Sequence, residues 1–420
     1  MEDIAIIKLM VSIAPIFKKQ TPKDAFLVLD IGTKIIKAVI FFAEDERIII
    51  SGYGKELQRL ENYTKDVKRL SDFCKVAIFR AQREARLRRV RGVILGFGGG
   101  VIKGETFSQK FFREDPQKYI DISELKNILQ KFQWKAKEEI CRKPEEAISC
   151  PPKILQSWIC EARVDGYQVA NPFDFQGKEI MLSVFNSYCG PDFLTFLEEF
   201  VNFLKLDLLG VFDENFAIYQ MLLQKKIPNF GGILIDVGGL ATQVSLIRKG
   251  VFERTIGFGM GGQNFTNLLV KNFGVSEVEA EDIKIKYARG GLGYGVAKRI
   301  AKIFEPNVSL WYKALNLAFD EFPFKNYLPS QIYLLGGGSL LPEIKDGFVK
   351  KRAKEYLPNL TDFKAEILTP EHFKGRISGI EEYNLPQDTP PLSLAFSFSS
   401  TLERENIFEK ILKQTLKIIQ

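Results

Sequence analysis

A two-lobed α/β fold built by duplication is what this sequence predicts, and three observations carry the expectation. The stretch "FLVLDIGTKIIKAVIFF" (26–42) is an apolar run, a polar tip with Asp30 and Gly32, and a second apolar run, which reads as two strands. About 206 positions further on, "LIDVGGLATQVSLI" repeats that arrangement around Asp236, Gly238 and Gly239. Finally, 420 residues exceed what one hydrophobic core ordinarily serves, so at least two lobes are expected.

The elements follow in order. Strands fill Ala25 to about Gly54, and residues 57–89 read as helix. The basic stretch "RAQREARLRRVRG" (80–92) has no interleaved aromatics, so a solvated helix face is expected there and not a nucleic-acid surface. A new unit is expected to open at "RGVILGFGGGVIKGETFS", pass through the helix "ISELKNILQKFQWKAKEEI" and close on "WICEARVDGYQVA" and "KEIMLSVFNSYC". A long helical region runs from "PDFLTFLEEFVNFLKL" through "ENFAIYQMLLQK"; after the second hairpin come helices over 264–322 and the strand "QIYLLGGGSL". The expected division is first-lobe core 22–92, inserted α+β subdomain 93–187 and first-lobe core again 188–230. Then come second-lobe core 231–255, its insert 256–327, second-lobe core 328–384, a return to the first lobe 385–401, and an amphipathic helix 402–420.

Composition excludes several function classes. Apolar residues make up 45% and charged ones 26%, which are globular values. The net charge of +7 is modest for this length; it suits an anionic ligand or a membrane surface and does not argue for nucleic acid. His372 is the only histidine, so any triad or histidine metal site would have to pass through it, and in the polar stretch "TPEHFKGR" it is expected at the surface. Five cysteines, an odd number with no CxxC, argue against a disulfide framework and fit a reducing compartment. No run approaches the ~18 to 20 apolar residues that span a bilayer, and "MEDIAIIKLMVSIAPIFKKQ" is a poor signal peptide. A cytoplasmic protein is expected.

The chemistry is concentrated in glycine-rich turns. GxxxxGK[ST] is absent, so no P-loop is expected. "GFGMGG" matches GxGxxG at Gly257, Gly259 and Gly262, but the chain then enters two successive helices, where a dinucleotide fold would return to a parallel strand. "DIGT" (30–33), "DVGG" (236–239) and "LGGGS" (335–339) each end a strand of the buried type. Glycine lets backbone amides approach phosphate oxygens, and Thr33 adds a hydroxyl. Asp30 and Asp236, facing one crevice, suit a hydrated Mg²⁺, which keeps several waters and touches few carboxylates.

At these residues the chain resembles the actin, sugar-kinase and Hsp70 superfamily of ATPases. "LDIGTKIIKAVIF" is similar to its first phosphate motif, "LIDVGGLATQVSLI" to its second and "IYLLGGGSLLPEI" to its adenosine motif. Within it, the chain looks most like the bacterial cell-division family FtsA, with the type IV pilus family PilM close behind. The resemblance implies the two-lobed actin-like, duplicated ribonuclease H-like α/β fold with an inserted α+β subdomain, and it implies ATP and Mg²⁺ as cofactors. It implies that Asp30 and Asp236 organise Mg²⁺, and that Gly32, Thr33, Lys34, Gly238 and Gly239 wrap the phosphates. Glu281 and Lys284 would face the ribose, Gly336, Gly337 and Gly338 would let adenine pack on backbone, and Glu214 would position the attacking water beside Asp236. Leu240, Ala241 and Gln243 depart from the second motif, which usually continues Gly-Thr and then an acid; Asn215 stands where a proline usually follows the glutamate. Those losses imply a weak Mg²⁺-dependent ATPase at most.

The tail "LERENIFEKILKQTLKIIQ" (402–420) sets Phe408, Ile411, Leu412, Leu416 and Ile419 on one helical face, with Lys410, Lys413 and Lys417 elsewhere. Two expectations stand for it: an interfacial membrane helix, or a helix docked on the protein itself. The expected function is an ATP-binding scaffold, peripheral on the inner membrane face, self-associating into filaments. Its partner would be the tail of a tubulin-like division protein or a peptide of a pilus membrane protein. A small-molecule kinase is the enzyme alternative, for which no aspartate base announces itself.

Overall fold

The structure is a computed structural model. It describes residues 25–420 apart from 45–46, 61–62, 91, 99, 144–149, 225–226, 228–229, 324–327, 351–352, 354–356, 358–362, 404–409 and 413–420. Expectations that fall wholly on those residues, and on 1–24, lie outside the described chain.

The first hairpin pairs β1 (Phe26–Ile31) with β2 (Ile35–Glu44), and β3 (Arg47–Leu57) follows antiparallel to β2. Helix α1 (Val67–Ala85) then crosses over to β4 (Val93–Phe97), which lies parallel to β1. The inserted subdomain contributes β5 (Lys103–Phe112), α2 (Ile122–Cys141), β6 (Lys153–Val164), β7 (Tyr167–Gln168) and β8 (Glu179–Cys189). Helix α3 (Pro191–Leu204), β9 (Leu208–Phe212) and α4 (Glu214–Leu223) lead to the second hairpin, β10 (Gly232–Val237) and β11 (Thr242–Arg248), then β12 (Val251–Phe258). Three helices follow, α5 (Gly262–Phe273), α6 (Glu277–Ala288) and α7 (Tyr294–Asp320). Then come β13 (Gln331–Leu335), α8 (Pro342–Val349), β14 (Lys364–Ile367), β15 (Ile377–Ser378) and α9 (Thr389–Glu403).

The sheets make the duplication explicit. The first runs β15-β3-β2-β1-β4-β9; the second contains β14-β13-β10-β11-β12. Each half is therefore a hairpin, a third antiparallel strand beyond it, and two parallel strands on the other side. Strand β1 is buried on both faces, as its unbroken apolar run requires. Leu27, Leu29 and Ile31 pack with Leu70 and Cys74 of α1, while Phe26 and Val28 join Leu392 and Phe398 of α9. Helix α1 lies very close to the sheet, because a Cβ on Gly54 would sit 2.0 Å from the Ala77 carbonyl oxygen.

Several expected boundaries are corrected. Strand β4 belongs to the first-lobe sheet, so the inserted subdomain starts beyond it and not at residue 93. The hydrophobic pattern of "GVILGF" could not say which sheet it joins. The helix expected over 57–89 begins at Val67, where Asp66 caps it by accepting from the Arg69 amide. The chain rejoins the first-lobe sheet at β15, earlier than residue 385. The inserted sheet is also continuous with the second lobe, since Glu105 of β5 pairs with Arg254 of β12.

Two further expectations change. Cys141 and Cys150 form a disulfide, their Cα atoms 5.7 Å apart, where the cysteine count argued against a disulfide framework and for a reducing compartment. A short return from α2 to β6 brings the two together, and counting cysteines does not detect such a return. Cysteine usage thus no longer argues for a reducing compartment. In the tail, Ile411 and Leu412 are 4% and 1% exposed and belong to the subdomain core with Phe107, Leu125, Phe132 and Ile154. That contradicts an interfacial helix with those two residues on its lipid face; they dock on the subdomain. His372 is exposed, as expected.

Candidate functional site

The two hairpin tips meet. The Leu240 amide donates to Thr33 Oγ1 at 3.1 Å, and a Cβ on Gly239 would lie 2.7 Å from Lys34 Cγ and 3.0 Å from Thr33 Oγ1. Lys34 also reaches Glu277 of α6 at 3.2 Å. On the second-lobe side, the first turn of α5 holds the tip, with the Gly262 and Gln263 amides donating to the Gly238 and Gly239 carbonyls at 2.9 and 2.8 Å.

Behind the tips lies a buried charged group. Hairpin register sets Asp30 opposite Lys37, and Lys37 Nζ donates to Asp30 Oδ2 at 2.7 Å with side chains 8% and 2% exposed. Burial pulls the Lys37 ammonium down, yet the Asp30 charge and hydrogen bond outweigh it and its pKa is raised. Glu214 opens α4 behind the Asp213 cap, which accepts from the Phe216 amide at 2.7 Å. Burial drives the Glu214 carboxyl well above its usual range, and the nearby Asp30 charge adds to this. Burial likewise pushes Asp236 up to about 6, against the pull of Lys37. Register places Asp236 opposite Gln243 and beside Leu335.

The third glycine turn abuts the second. Gly336 has φ +77°, and a Cβ there would fall 2.2 Å from Asp236 Oδ1 and 2.5 Å from the Val237 carbonyl oxygen, so no other residue fits. A Cβ on Gly338 would meet Val237 Cγ1 at 2.5 Å, and one on Gly337 would meet Gln387 Oε1 at 3.3 Å. Glu281 and Lys284 form a pair at 2.7 Å. The pair is wired to α5, since Thr266 Oγ1 donates to Glu281 at 2.6 Å and Lys284 Nζ donates to the Gly262 carbonyl at 3.0 Å.

Four residues of the site were not among the candidates. Lys37 was discoverable, because a hairpin with its tip at 32–34 puts position 37 across from position 30. Gln58 donates to the Gly32 carbonyl at 2.8 Å, but nothing in the local pattern announces it. Asn215 and Gln243, two separate departures from the resembled motifs, are one feature in space: Asn215 Nδ2 donates to Gln243 Oε1 at 3.1 Å across the lobes.

The group at the tips has unspent capacity. Glu214 Oε1, Asn215 Oδ1 and Gln58 Oε1 are buried without a hydrogen-bond partner. Buried acceptors of this kind, beside carboxyls whose charged form is disfavoured, fit a hydrated cation that donates through its waters. Among the described residues no three His, Cys, Asp or Glu side chains converge on a metal position.

No protein-family model matches the chain. It is 22% identical over 388 residues to the cell division protein FtsA of Streptococcus pneumoniae, covering 84% of this chain and 81% of that protein. To FtsA of Pseudomonas aeruginosa it is 21% identical over 409 residues, covering 89% and 92%. The solved PilM–PilN type IV pilus biogenesis complex superposes with a TM-score of 0.64 at 16% identity, covering 90% of this chain and 99% of that one. The chain has the actin-like fold. The two hairpin tips touch each other, and the glycine turn after β13 abuts the second tip.

Proposed function

We propose that this protein is an actin-like scaffold that binds ATP with Mg²⁺ between the hairpin tips and turns it over slowly or not at all. The observation that carries the reading is the buried group Asp30, Lys37 and Glu214, with half-buried Asp236 beside it and Glu214 Oε1 left unpartnered. Asp30 and Asp236 hold the hydrated cation, and Gly32, Thr33, Lys34, Gly238 and Gly239 line the phosphates. Glu281 and Lys284 face the sugar, while Gly336, Gly337 and Gly338 give the base a flat backbone surface. Bound Mg²⁺ supplies positive charge against the phosphate oxygens. Glu214 would orient a water, and Asp236 would order the shell of a bound cation. Where the resembled motif carries an acid, Gln243 is neutral and bonded to Asn215, which supports weak hydrolysis.

The test is binding of a fluorescent ATP analogue to the full chain. Asp30→Asn should abolish Mg²⁺-dependent binding while the circular dichroism spectrum stays native; unchanged affinity in a folded variant overturns the cleft assignment. Turnover should fall well below the ~1 to 10³ s⁻¹ common for metabolic enzymes. Turnover in that range, stimulated by a hydroxylated small molecule, would favour the kinase.

The scaffold acts at the inner membrane face, on a division-protein tail or on a pilus membrane peptide, and assembles with copies of itself. The solved PilM relative is in complex with PilN, and burial of Ile411 and Leu412 favours that pilus-type reading over a division tether anchored by its tail. A pull-down with both peptides separates the two.

A further inference from the structure

The outward face of α1 and the turn after it hold most of the chain's charge excess. Residues 66–90 contain eight Lys or Arg against three Asp or Glu, a balance of +5 where the whole chain carries +7. Three of the cations are taken up locally: Arg69 lies 3.8 Å from Asp66, Lys75 lies 3.5 Å from Asp72, and Arg80 pairs with Glu56. Lys68, Arg83, Arg86, Arg88 and Arg89 are exposed and meet no carboxylate among the described residues.

Apolar side chains stand in the middle of these charges. Val76 and Phe79 are 41% and 59% exposed, three residues apart, and Arg83 follows one turn beyond Phe79. Leu57, at the end of β3, is also exposed and lies beside the helix, because Arg80 bonds to the Lys55 carbonyl and the Glu56 carboxylate. This is not a core stripe left open: α1 already buries Leu70, Cys74, Ala77 and Ala81 against the sheet.

We propose that this face docks on an anionic lipid surface, with Phe79 and Val76 entering the headgroup region and the arginines meeting lipid phosphates. A convex helix with apolar residues at its centre and free cations around them matches the makeup of an interfacial surface. One exposed aromatic gives no row of stacking platforms, so a single-stranded nucleic acid is the poorer fit. The proposal rests on the reading of the protein as a scaffold at a membrane. It supplies a contact that the docked Ile411 and Leu412 do not.

The experiment is co-sedimentation of the full chain with vesicles of phosphatidylcholine alone and of an equal mixture with phosphatidylglycerol. Wild type should bind only the anionic vesicles, and added salt should weaken it. A basic residue near an anionic surface contributes about fivefold in affinity, so Arg83→Gln/Arg88→Gln/Arg89→Gln should lose on the order of a hundredfold. Phe79→Ser should weaken binding severalfold. Melting temperature and ATP-analogue binding, read on the same samples, should match wild type. No sedimentation with anionic vesicles overturns the proposal, as does binding that neither variant changes. Equal binding to polyuridylate, indifferent to Phe79→Ser, overturns it in favour of a general polyanion site. Intact nucleotide binding with absent vesicle binding removes this surface and leaves the ATP-scaffold reading standing.

Discussion

At the scale of single residues, Lys37 is, among the described residues, the cation bonded within the carboxyl group behind the hairpin tips. It donates to Asp30 at 2.7 Å, and Glu214 and Asp236 both feel its charge. Removing one partner of a buried ion pair typically costs about 3 to 5 kcal/mol. Lys37→Met should therefore lower the melting temperature sharply in the absence of Mg²⁺, and Lys37→Met/Asp30→Asn should recover much of the loss. No recovery would mean the two side chains are not energetically coupled. Asp236 makes a separate statement about pH. Its folded-state pKa of about 6 lies above the ordinary value near 4, so the stability it contributes is complete below about 4 and is lost as pH rises through about 6. Thermal melts without nucleotide or cation should show wild type losing stability relative to Asp236→Asn over that window. Parallel curves would contradict the assignment. Gln243→Glu should raise ATP turnover while changing nucleotide affinity little, since it restores a carboxylate beside the cleft without touching the glycine turns.

At the scale of elements, the tail and α1 show how far patterning reaches. The apolar spacing of 408–419 predicts an amphipathic helix, but period alone cannot tell whether its face meets lipid or protein. Burial decides it for Ile411 and Leu412, which sit in the subdomain core. Leu412→Ala should cost about 2 to 5 kcal/mol in denaturant unfolding and leave vesicle binding untouched. A neutral substitution would place that side chain outside the core. The hairpins were the most legible elements, because each couples buried-type strands to an Asp-x-Gly tip that needs glycine. Lys37 and the membership of β4 in the first sheet were harder to see, since both depend on which strands pair. The Cys141–Cys150 bond and the Asn215–Gln243 contact were illegible for the same reason: the chain brings them together from positions with no local signal.

At the scale of the whole molecule, two copies of one five-strand arrangement point their tips at each other, and the third glycine turn closes against the second tip at Gly336. The central claim is that this meeting point is a nucleotide site. Isothermal titration calorimetry of the full chain with ATP tests it most directly, with and without Mg²⁺, on wild type and Gly336→Val. The account predicts one Mg²⁺-dependent site per chain in wild type and none in the variant, whose added side chain would strike Asp236 and Val237. No binding of Mg²⁺-ATP to wild type, or equal binding to a folded Gly336→Val protein, would contradict it.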